Sequence, residues 1–422
     1  MNTRPQPLIA LALGLLLVTT AGAAPPAAVL PTVRPEAVGL SSERLARLDR
    51  YLDEQIARGR VAGGVVLIAR RGKVAYFKAV GSADLASHRQ MRTDDYFRLM
   101  SLTKPVTAAA LLTLFEQGKF QLTDPLSKYL PAFKNVKVYT GKGPNGEMLL
   151  EDPKKPITIQ DVLRHTAGFV YGWRPNSAVD AAYREAGIDY SKVDSVHAMT
   201  DLIATMPLAS QPGTQFEYSF SHDVQAYLIE YFSGMPFQAY CRKVILEPLG
   251  MHQTVYGVPD ALAARFPTVY NPSAEGGLAP YPGASGYARY TQHPFGGISL
   301  SSTPADYLRF AQMLLNGGEL GGVRILGRKT VELMTTDQLA PAGIPLGYPG
   351  YGFGLGIGVL ADPVRNGNVG SAGQFGWSGF WTTTAVIDPK EQLIAIYFEQ
   401  VAPEDRDLLD YFTTLVYQAI VD

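Results

Sequence analysis

Hydrophobic and polar positions repeat along the chain with two different periods, and each period predicts a different element. Residues 45–52 carry leucines at helical spacing, directly after a Ser-Ser-Glu start. Residues 63–80 form two apolar stretches around Arg71 and Gly72, which predicts two strands joined by a hairpin turn. A long helical pattern then covers residues 96–118 and ends at a glycine.

The last part of the chain returns to a mixture of strand and helix patterns. A helix predicted at 303–315 is followed by three stretches that alternate as strands, and residues 404–420 close the chain as a helix. The middle of the chain holds further helical patterns, separated by loops rich in Gly, Pro and Asn. This order predicts one α/β (α+β) unit, built from about 36–100 and 300–422, with an all-helical insert at about 101–299.

The first 23 residues have the pattern of a secretory signal peptide. Arg4 supplies a positive charge, residues 8–18 are continuously apolar, and residues 21–23 (Ala-Gly-Ala) form a small-x-small cleavage site. The apolar run is too short to cross a bilayer, which needs about 20 residues. A Pro/Ala-rich lead follows at 24–35. We therefore expect an exported protein, periplasmic or secreted, whose mature form has no integral membrane segment.

Charge and composition narrow the possible partners and cofactors. The 422 residues include 37 Lys+Arg and 38 Asp+Glu, a formal net charge of −1, which gives no electrostatic reason to expect a nucleic-acid partner. The six histidines are scattered, and neither H-E-x-x-H nor G-x-S-x-G occurs. Cys241 is the only cysteine, so an intramolecular disulfide is impossible. The sequence therefore predicts no metal and no cofactor.

The strongest candidate for a nucleophile is Ser101, in the sequence Ser-Leu-Thr-Lys. Positions i and i+3 share one face of a helix, so the Lys104 amine can reach the Ser101 hydroxyl. A serine hydroxyl needs a base within hydrogen-bonding reach, and a desolvated lysine can have a pKa low enough to serve. The structural alternative is an N-cap serine followed by a solvated lysine. Residues 106–115 are apolar almost all round, which predicts a buried helix and favours the chemical interpretation.

Six segments resemble, in the same order, the serine β-lactamase and penicillin-recognising superfamily. The likeness is strongest to its class C-type branch, which includes the bacterial family VIII carboxylesterases. The segments are FRLMSLTKPVTAAALLTLFEQGKFQLTDPLSKYLP (97–131), ITIQDVLRHTAG (157–168), QPGTQFEYSFSHDVQAYLIEYFSG (211–234), ILEPLGMHQT (245–254), GGISLSSTPADYLRFAQMLLNGGE (296–319) and FGWSGFWTTTAVIDP (375–389). The resemblance implies a β-lactamase/transpeptidase-like fold, an antiparallel sheet flanked by helices.

The resemblance also implies roles for three residues that match the motifs of the family. Ser101 falls on the acylated nucleophile, and Lys104 on the lysine that shares its proton. Tyr218 falls on the tyrosine that acts with the lysine as general base and later as general acid. A phenol beside a lysine cation is expected to be held partly as phenolate, which is a competent base.

A third motif of the family, usually Lys-Thr-Gly, falls on Trp377, Ser378 and Gly379. The resemblance implies that these residues lie on a strand at the edge of the site and line the substrate cleft. The backbone N–H groups of Ser101 and Phe380 would then form the oxyanion hole, which stabilises the negative charge of the transition state.

Two departures from the family pattern bear on the substrate. The usual Tyr-x-Asn ends here in Phe220, and Ser221 or Asp223 stands close enough in sequence to supply a polar group instead. Trp377 replaces the lysine of the third motif, which removes the cation that would help to bind the carboxylate of a penicillin. A neutral indole suits an uncharged ester better.

The sequence thus predicts a serine hydrolase that cleaves small-molecule carboxylic esters through an acyl-enzyme at Ser101. Three alternatives stay open. The protein could be a β-lactamase or D-Ala-D-Ala peptidase, it could be an acyltransferase, or it could be a non-catalytic binding protein with the penicillin-recognising fold. The natural ester and the oligomeric state do not follow from the sequence.

Overall fold

A computed structural model describes residues 30–422 of the chain. The expected signal peptide (1–23) and the first part of the Pro/Ala-rich lead (24–35) lie outside the described residues. The α-helices are α1 Ser42–Ala57, α2 Lys104–Glu116, α3 Ile159–Leu163, α4 Ala178–Glu185, α5 Val196–Ala204, α6 Ser221–Ser233, α7 Phe237–Cys241, α8 Pro304–Leu315, α9 Arg328–Met334, α10 Pro363–Asn366 and α11 Arg406–Tyr417. The strands are β1 Gly63–Arg70, β2 Lys73–Asp84, β3 Arg89–Gln90, β4 Phe97–Arg98, β5 Val138–Lys142, β6 Met148–Glu151, β7 Thr254–Tyr256, β8 Tyr270–Pro272, β9 Leu278–Pro280, β10 Leu300–Ser302, β11 Glu319–Leu320, β12 Val323–Arg324, β13 Tyr351–Phe353, β14 Gly358–Leu360, β15 Gln374–Gly379, β16 Thr383–Asp388 and β17 Leu393–Glu399.

Eight strands from the two ends of the chain form one antiparallel sheet, in the order β13-β14-β15-β16-β17-β1-β2-β3. Strands β1 and β17 pair directly and join the two ends. Both strands are buried along their whole length and apolar up to their last residues, Arg70 and Glu399, as expected of central strands covered on both faces. The predicted antiparallel sheet built from both chain ends is confirmed.

Helices cover the two faces of this sheet. On one face, α1 and α11 pack their apolar sides onto β1, β2 and β17. On the other face lie α2 and α8, which share the larger core with the helices of the middle segment. Helix α2 is buried continuously from Lys104 to Leu114, as the unbroken apolar pattern predicts. The start of α2 is therefore deep in the molecule, beside β15 and β16.

The middle of the chain differs in one respect from the all-helical insert that the sequence predicts. Besides α3 to α7 it contains the short pairs β5–β6 and β8–β9, and β7 and β10 form a small sheet with β4. These strands have only two to five residues each, too few for an alternating pattern to stand out from loop composition.

Candidate active site

Ser101 lies on a single 3₁₀ turn, Met100–Thr103, that leads directly into α2. Met100 has a φ of 49°, a left-handed conformation that is costly for a side chain of this size. Two neighbouring strands hold the turn in place. Thr383 Oγ1 of β16 donates to the Leu99 carbonyl at 3.1 Å, and the Leu300 amide of β10 donates to Thr103 Oγ1 at 3.0 Å. The backbone before Ser101 is thus fixed in a strained shape by the sheets around it.

Lys104 is fully buried and contacts the Ser101 hydroxyl. Its Nζ lies 3.1 Å from Ser101 Oγ and 2.9 Å from the carbonyl oxygen of Gly297. Burial strongly lowers the pKa of the Lys104 amine, and the negative charge of Asp223 opposes this in part. A neutral amine in this position can give a hydrogen to the Gly297 carbonyl and accept the proton of Ser101. The geometry that the S-x-x-K spacing predicts is present.

Tyr218 completes the group around Ser101. Its ring lies over the lysine, with Nζ 4.8 Å from the ring centroid, and its phenol is within hydrogen-bonding reach of the Ser101 hydroxyl. Burial raises the pKa of Tyr218, so the structure favours a neutral phenol and disagrees with the expected partial phenolate. Trp377 Nε1 donates to the phenol oxygen at 3.1 Å, which leaves the phenol proton free to be donated.

The third motif lies where β15 extends beyond its neighbour. Strand β14 pairs with β15 only as far as Gly376, so the edge at Trp377 to Gly379 is open toward Ser101. Gly379 packs so tightly against the turn before Ser101 that an added methyl group would lie 2.2 Å from the Leu99 carbonyl oxygen. Phe380 follows at the end of the strand. The oxyanion hole formed by the amides of Ser101 and Phe380 remains a prediction.

Ser378 points away from Trp377 and contacts a residue that sequence reasoning missed. Trp377 pairs with Ala385 and Ser378 with Thr384, so the two side chains leave opposite faces of β15. Ser378 hydrogen-bonds the Glu404 carboxylate, and burial raises the pKa of Glu404. Both line a cavity of about 280 Å³ next to the open edge of β15. Glu404 belongs to no motif, so the sequence offers no signal for it.

Aromatic side chains form the wall opposite β15. Tyr171 and Trp173 stack with their ring centroids 4.2 Å apart, and Trp173 is 67% exposed. Phe220, which occupies the place of the family asparagine, is buried edge-on against Tyr171 at 4.5 Å. The departure from Tyr-x-Asn therefore replaces a polar group by aromatic packing, which makes this side of the cleft apolar.

The segment 157–168 supports Tyr218 from behind. It begins with a capping box between Thr158 and Asp161 at the start of α3. The Ser219 amide donates to His165 Nδ1 at 3.2 Å, and the His165 ring lies 4.8 Å from the ring of Tyr218. Burial holds the pKa of His165 well below its usual range, so the ring is neutral. The resemblance to the family included this segment but implied no role for His165.

Two further properties apply to residues 30–422. No group of three or more His, Cys, Asp or Glu side chains in this range could hold a metal ion. In the same range, each helix is too short or too polar to cross a bilayer.

Comparison with known proteins places the chain in a family. The Beta-lactamase family model matches residues 48–418. Protein Rv1367c of Mycobacterium tuberculosis is 32% identical over 359 residues, which are 82% of this chain and 87% of that protein. Esterase EstB of Burkholderia gladioli is 31% identical over 376 residues, 84% of this chain and 90% of that protein.

A solved structure gives the same result. The enzyme EstCE1, described as a hydrolase with promiscuous acyltransferase activity, superposes with a TM-score of 0.74 at 26% identity, covering 89% of this chain and 99% of its own. The chain belongs to the beta-lactamase family and is a hydrolase of the β-lactamase fold. The predicted resemblance, including its relation to the family VIII esterases, is confirmed.

Proposed function

We propose that this protein is a serine esterase that hydrolyses uncharged carboxylic esters through an acyl-enzyme at Ser101. The observation that carries the proposal is the fully buried Lys104 amine, 3.1 Å from the Ser101 hydroxyl and, within the described part of the chain, without a carboxylate in direct contact. The similarity to esterase EstB and to the hydrolase EstCE1 supports the choice of an ester.

In the first step, Ser101 Oγ attacks the ester carbonyl carbon while its proton moves to neutral Lys104 Nζ. The charge on the carbonyl oxygen is stabilised by the amides of Ser101 and Phe380. The intermediate collapses with cleavage of the bond to the alkoxy oxygen. That oxygen takes a proton from Tyr218, which is replenished from Lys104, and the alcohol leaves.

In the second step, water attacks the carbonyl carbon of the acyl-Ser101 ester. A water proton passes through Tyr218 to Lys104 as the new carbon–oxygen bond forms. Collapse of the second intermediate breaks the bond to Ser101 Oγ, which regains a proton from Lys104. The carboxylic acid is released, and the site returns to its starting state.

The charges around the cleft favour esters over β-lactams or D-Ala-D-Ala peptides. Both of those substrates carry a carboxylate, and Trp377 offers no cation to bind it. We expect turnover of nitrocefin to be much slower than turnover of a short-chain nitrophenyl ester.

Acyl transfer is the second candidate, because EstCE1 is described as a hydrolase with promiscuous acyltransferase activity. Trp173, which is 67% exposed and stacks on Tyr171 near Tyr218, gives an apolar surface on which an alcohol could compete with water. The ratio of ester to acid products, measured with increasing alcohol concentration, separates the two activities.

The test of the proposed function uses Ser101→Ala and a panel of nitrophenyl esters. We expect a loss of kcat/KM of at least about 10³-fold, because both covalent steps need the hydroxyl. Intact-mass spectrometry of the wild-type protein after brief exposure to ester should show one added acyl group, absent in the variant. If Ser101→Ala keeps the wild-type rate, the proposed function is wrong.

A non-catalytic binding protein on this fold is tested with a fluorophosphonate probe. We expect Ser101 to be labelled, because a neutral amine beside its hydroxyl activates it. If Ser101 stays unlabelled while the protein is folded, the binding-protein alternative is correct.

Export through cleavage after Ala23 is part of the proposal, because residues 1–23 have the charge, apolar run and cleavage site of a signal peptide. Fractionation of the native host followed by N-terminal sequencing tests it. The expected chain starts at Ala24 and lies outside the cytoplasm, whereas a cytoplasmic chain that retains residues 1–23 contradicts export.

A further inference from the structure

We propose that Asp223 is a positioning residue of this site, which anchors the Gly296–Gly297 turn that holds Lys104 and places a negative charge near the lysine amine. The inference rests on the proposed function and concerns a residue to which the family motifs assign no role.

The contacts form a continuous path from Asp223 to Ser101. The Gly297 amide donates to Asp223 Oδ1 at 3.1 Å, and the Gly297 carbonyl accepts from Lys104 Nζ at 2.9 Å. Lys104 Nζ then lies 3.1 Å from Ser101 Oγ. Because one residue carries both the amide and the carbonyl, a shift of Asp223 moves the acceptor that orients the lysine.

The second carboxylate oxygen of Asp223 also accepts a hydrogen bond. Tyr190 donates its hydroxyl to Asp223 Oδ2 at 2.8 Å, and Asp223 is fully buried. Neither Gly296 nor Gly297 has room for a side chain. An added methyl group would lie 2.2 Å from the His222 carbonyl oxygen at Gly296 and 2.8 Å from the Tyr190 hydroxyl at Gly297. The turn can therefore approach Asp223 and Lys104 only because both of its residues are glycines.

Asp223 is also the charge that acts on Lys104. Burial alone lowers the pKa of the amine, and a very weakly basic amine takes up the Ser101 proton poorly. The negative charge of Asp223 raises the pKa of Lys104 again, while burial raises the pKa of Asp223 itself. The two groups therefore titrate as a pair.

The other titratable side chains near Lys104 cannot replace Asp223. They lie on α6, in the 157–168 segment and in the loops around it, and comprise Tyr171, Tyr190, Tyr218, His165 and His222. Burial raises the pKa of each of these tyrosines and lowers the pKa of both histidines, so all five are neutral. The charge of Glu404 raises the pKa of Tyr218 and does not affect the pKa of Lys104.

The test is Asp223→Asn, which keeps the shape and removes the charge. The readouts are the pH dependence of kcat/KM for a nitrophenyl ester and of the rate at which a fluorophosphonate labels Ser101. Removing the negative charge disfavours the ammonium form, so the midpoint of the acid limb should move to lower pH, by about one unit or more. The plateau should fall about tenfold, because the amine is a weaker and less well oriented base.

Asp388→Asn is the matched control. Asp388 is also fully buried and accepts from a tyrosine hydroxyl, Tyr417 at 2.7 Å, and from backbone amides, including Ser371 at 3.1 Å. It lies at the end of β16 and does not act on Lys104. Loss of stability alone should therefore appear in both variants, and the shift in midpoint only in Asp223→Asn.

The outcomes separate the two proposals. An unchanged midpoint in Asp223→Asn, or a move to higher pH, overturns the inference while wild-type turnover and labelling leave the proposed function standing. Full activity of Ser101→Ala overturns the proposed function instead. If Asp223→Asn does not fold, Asp223→Ser, which keeps an oxygen near the Gly297 amide without the charge, carries the same expected shift to lower pH.

Discussion

Two buried basic side chains lie on opposite sides of the central sheet, and their surroundings differ. Arg70, at the end of β1, is 4% exposed, and its guanidinium contacts two carboxylates, Glu391 at 2.9 Å and Asp422 at 2.6 Å. It also donates to the Val38 carbonyl at 2.9 Å. Lys104 is fully buried, and its Nζ lies beside a hydroxyl, a backbone carbonyl and the ring of Tyr218.

The comparison shows that a buried basic side chain can either stabilise the fold or take part in proton transfer, depending on its neighbours. A guanidinium stays charged at all ordinary pH values, and the two carboxylates around Arg70 balance that charge directly. Burial removes Lys104 from water and no carboxylate of residues 30–422 contacts it, so its charged form is disfavoured and its pKa is lowered. A buried amine of this kind can gain and lose a proton in the working pH range, which is the property that a catalytic base needs.

The largest expected effect distinguishes the roles of these two basic side chains. Lys104→Ala should reduce kcat/KM by about 10³–10⁴-fold, because Ser101 loses its base. Arg70→Met should leave kcat/KM of the folded protein within about twofold and lower the melting temperature by on the order of 5 °C. Ester assays and thermal unfolding of both variants measure this, and a large loss of activity in Arg70→Met would contradict the distinction.

Tyr218→Phe should reduce kcat/KM by about 10²–10³-fold, because the leaving alcohol loses its proton donor. The loss should be smaller for nitrophenyl esters than for alkyl esters, since nitrophenolate leaves without protonation. Parallel assays of the two ester types check this. Equal losses for both would show that Tyr218 acts in some step other than protonation of the leaving group.

The pH dependence follows from the lowered pKa of Lys104. The amine must be unprotonated to accept the Ser101 proton, so kcat/KM should rise with pH through the pKa of Lys104 and then level off. Below the midpoint the rate should fall about tenfold per pH unit. The midpoint should lie well below 10.5, the ordinary value of a lysine, and Arg70→Met should not move it.

Trp377→Phe should have the smallest effect. It keeps the aromatic contact but removes the Nε1 donor that holds the phenol of Tyr218 at 3.1 Å. The loss of one hydrogen bond of this kind should lower kcat/KM about fivefold to tenfold. Trp377→Leu, which also loses the ring, is the control. Equal values of kcat/KM in the wild type and Trp377→Phe would show that this hydrogen bond does not contribute to catalysis.

Much of this architecture could be predicted from local pattern. The apolar runs of β1 and β17, the apolar circumference of α2 and the three-residue spacing of Ser101 and Lys104 are short-range features, and the structure contains all of them. Each depends on backbone periodicity, which a single sequence shows directly.

The environment of the site depended on contacts that are distant in sequence. Burial raises the pKa of Tyr218 because side chains distant in sequence, including His165, Tyr171 and Trp377, pack against it, and the expected phenolate neglected that enclosure. Gly297 lies 193 residues from Lys104, and Glu404 contacts Ser378 only because α11 returns to the end of β15. Pattern and spacing carry no information about such approaches.

The central claim is that the Lys104 amine is neutral in the working enzyme. Heteronuclear NMR of protein labelled at the ¹³Cε of lysine can follow each amine through a pH titration, with Lys104→Arg assigning the signal. We predict that one resonance, absent in that variant, titrates several units below all the others. If the Lys104 signal titrates near pH 10.5 with the exposed lysines, the amine is a cation when Ser101 reacts and the account of the base is wrong.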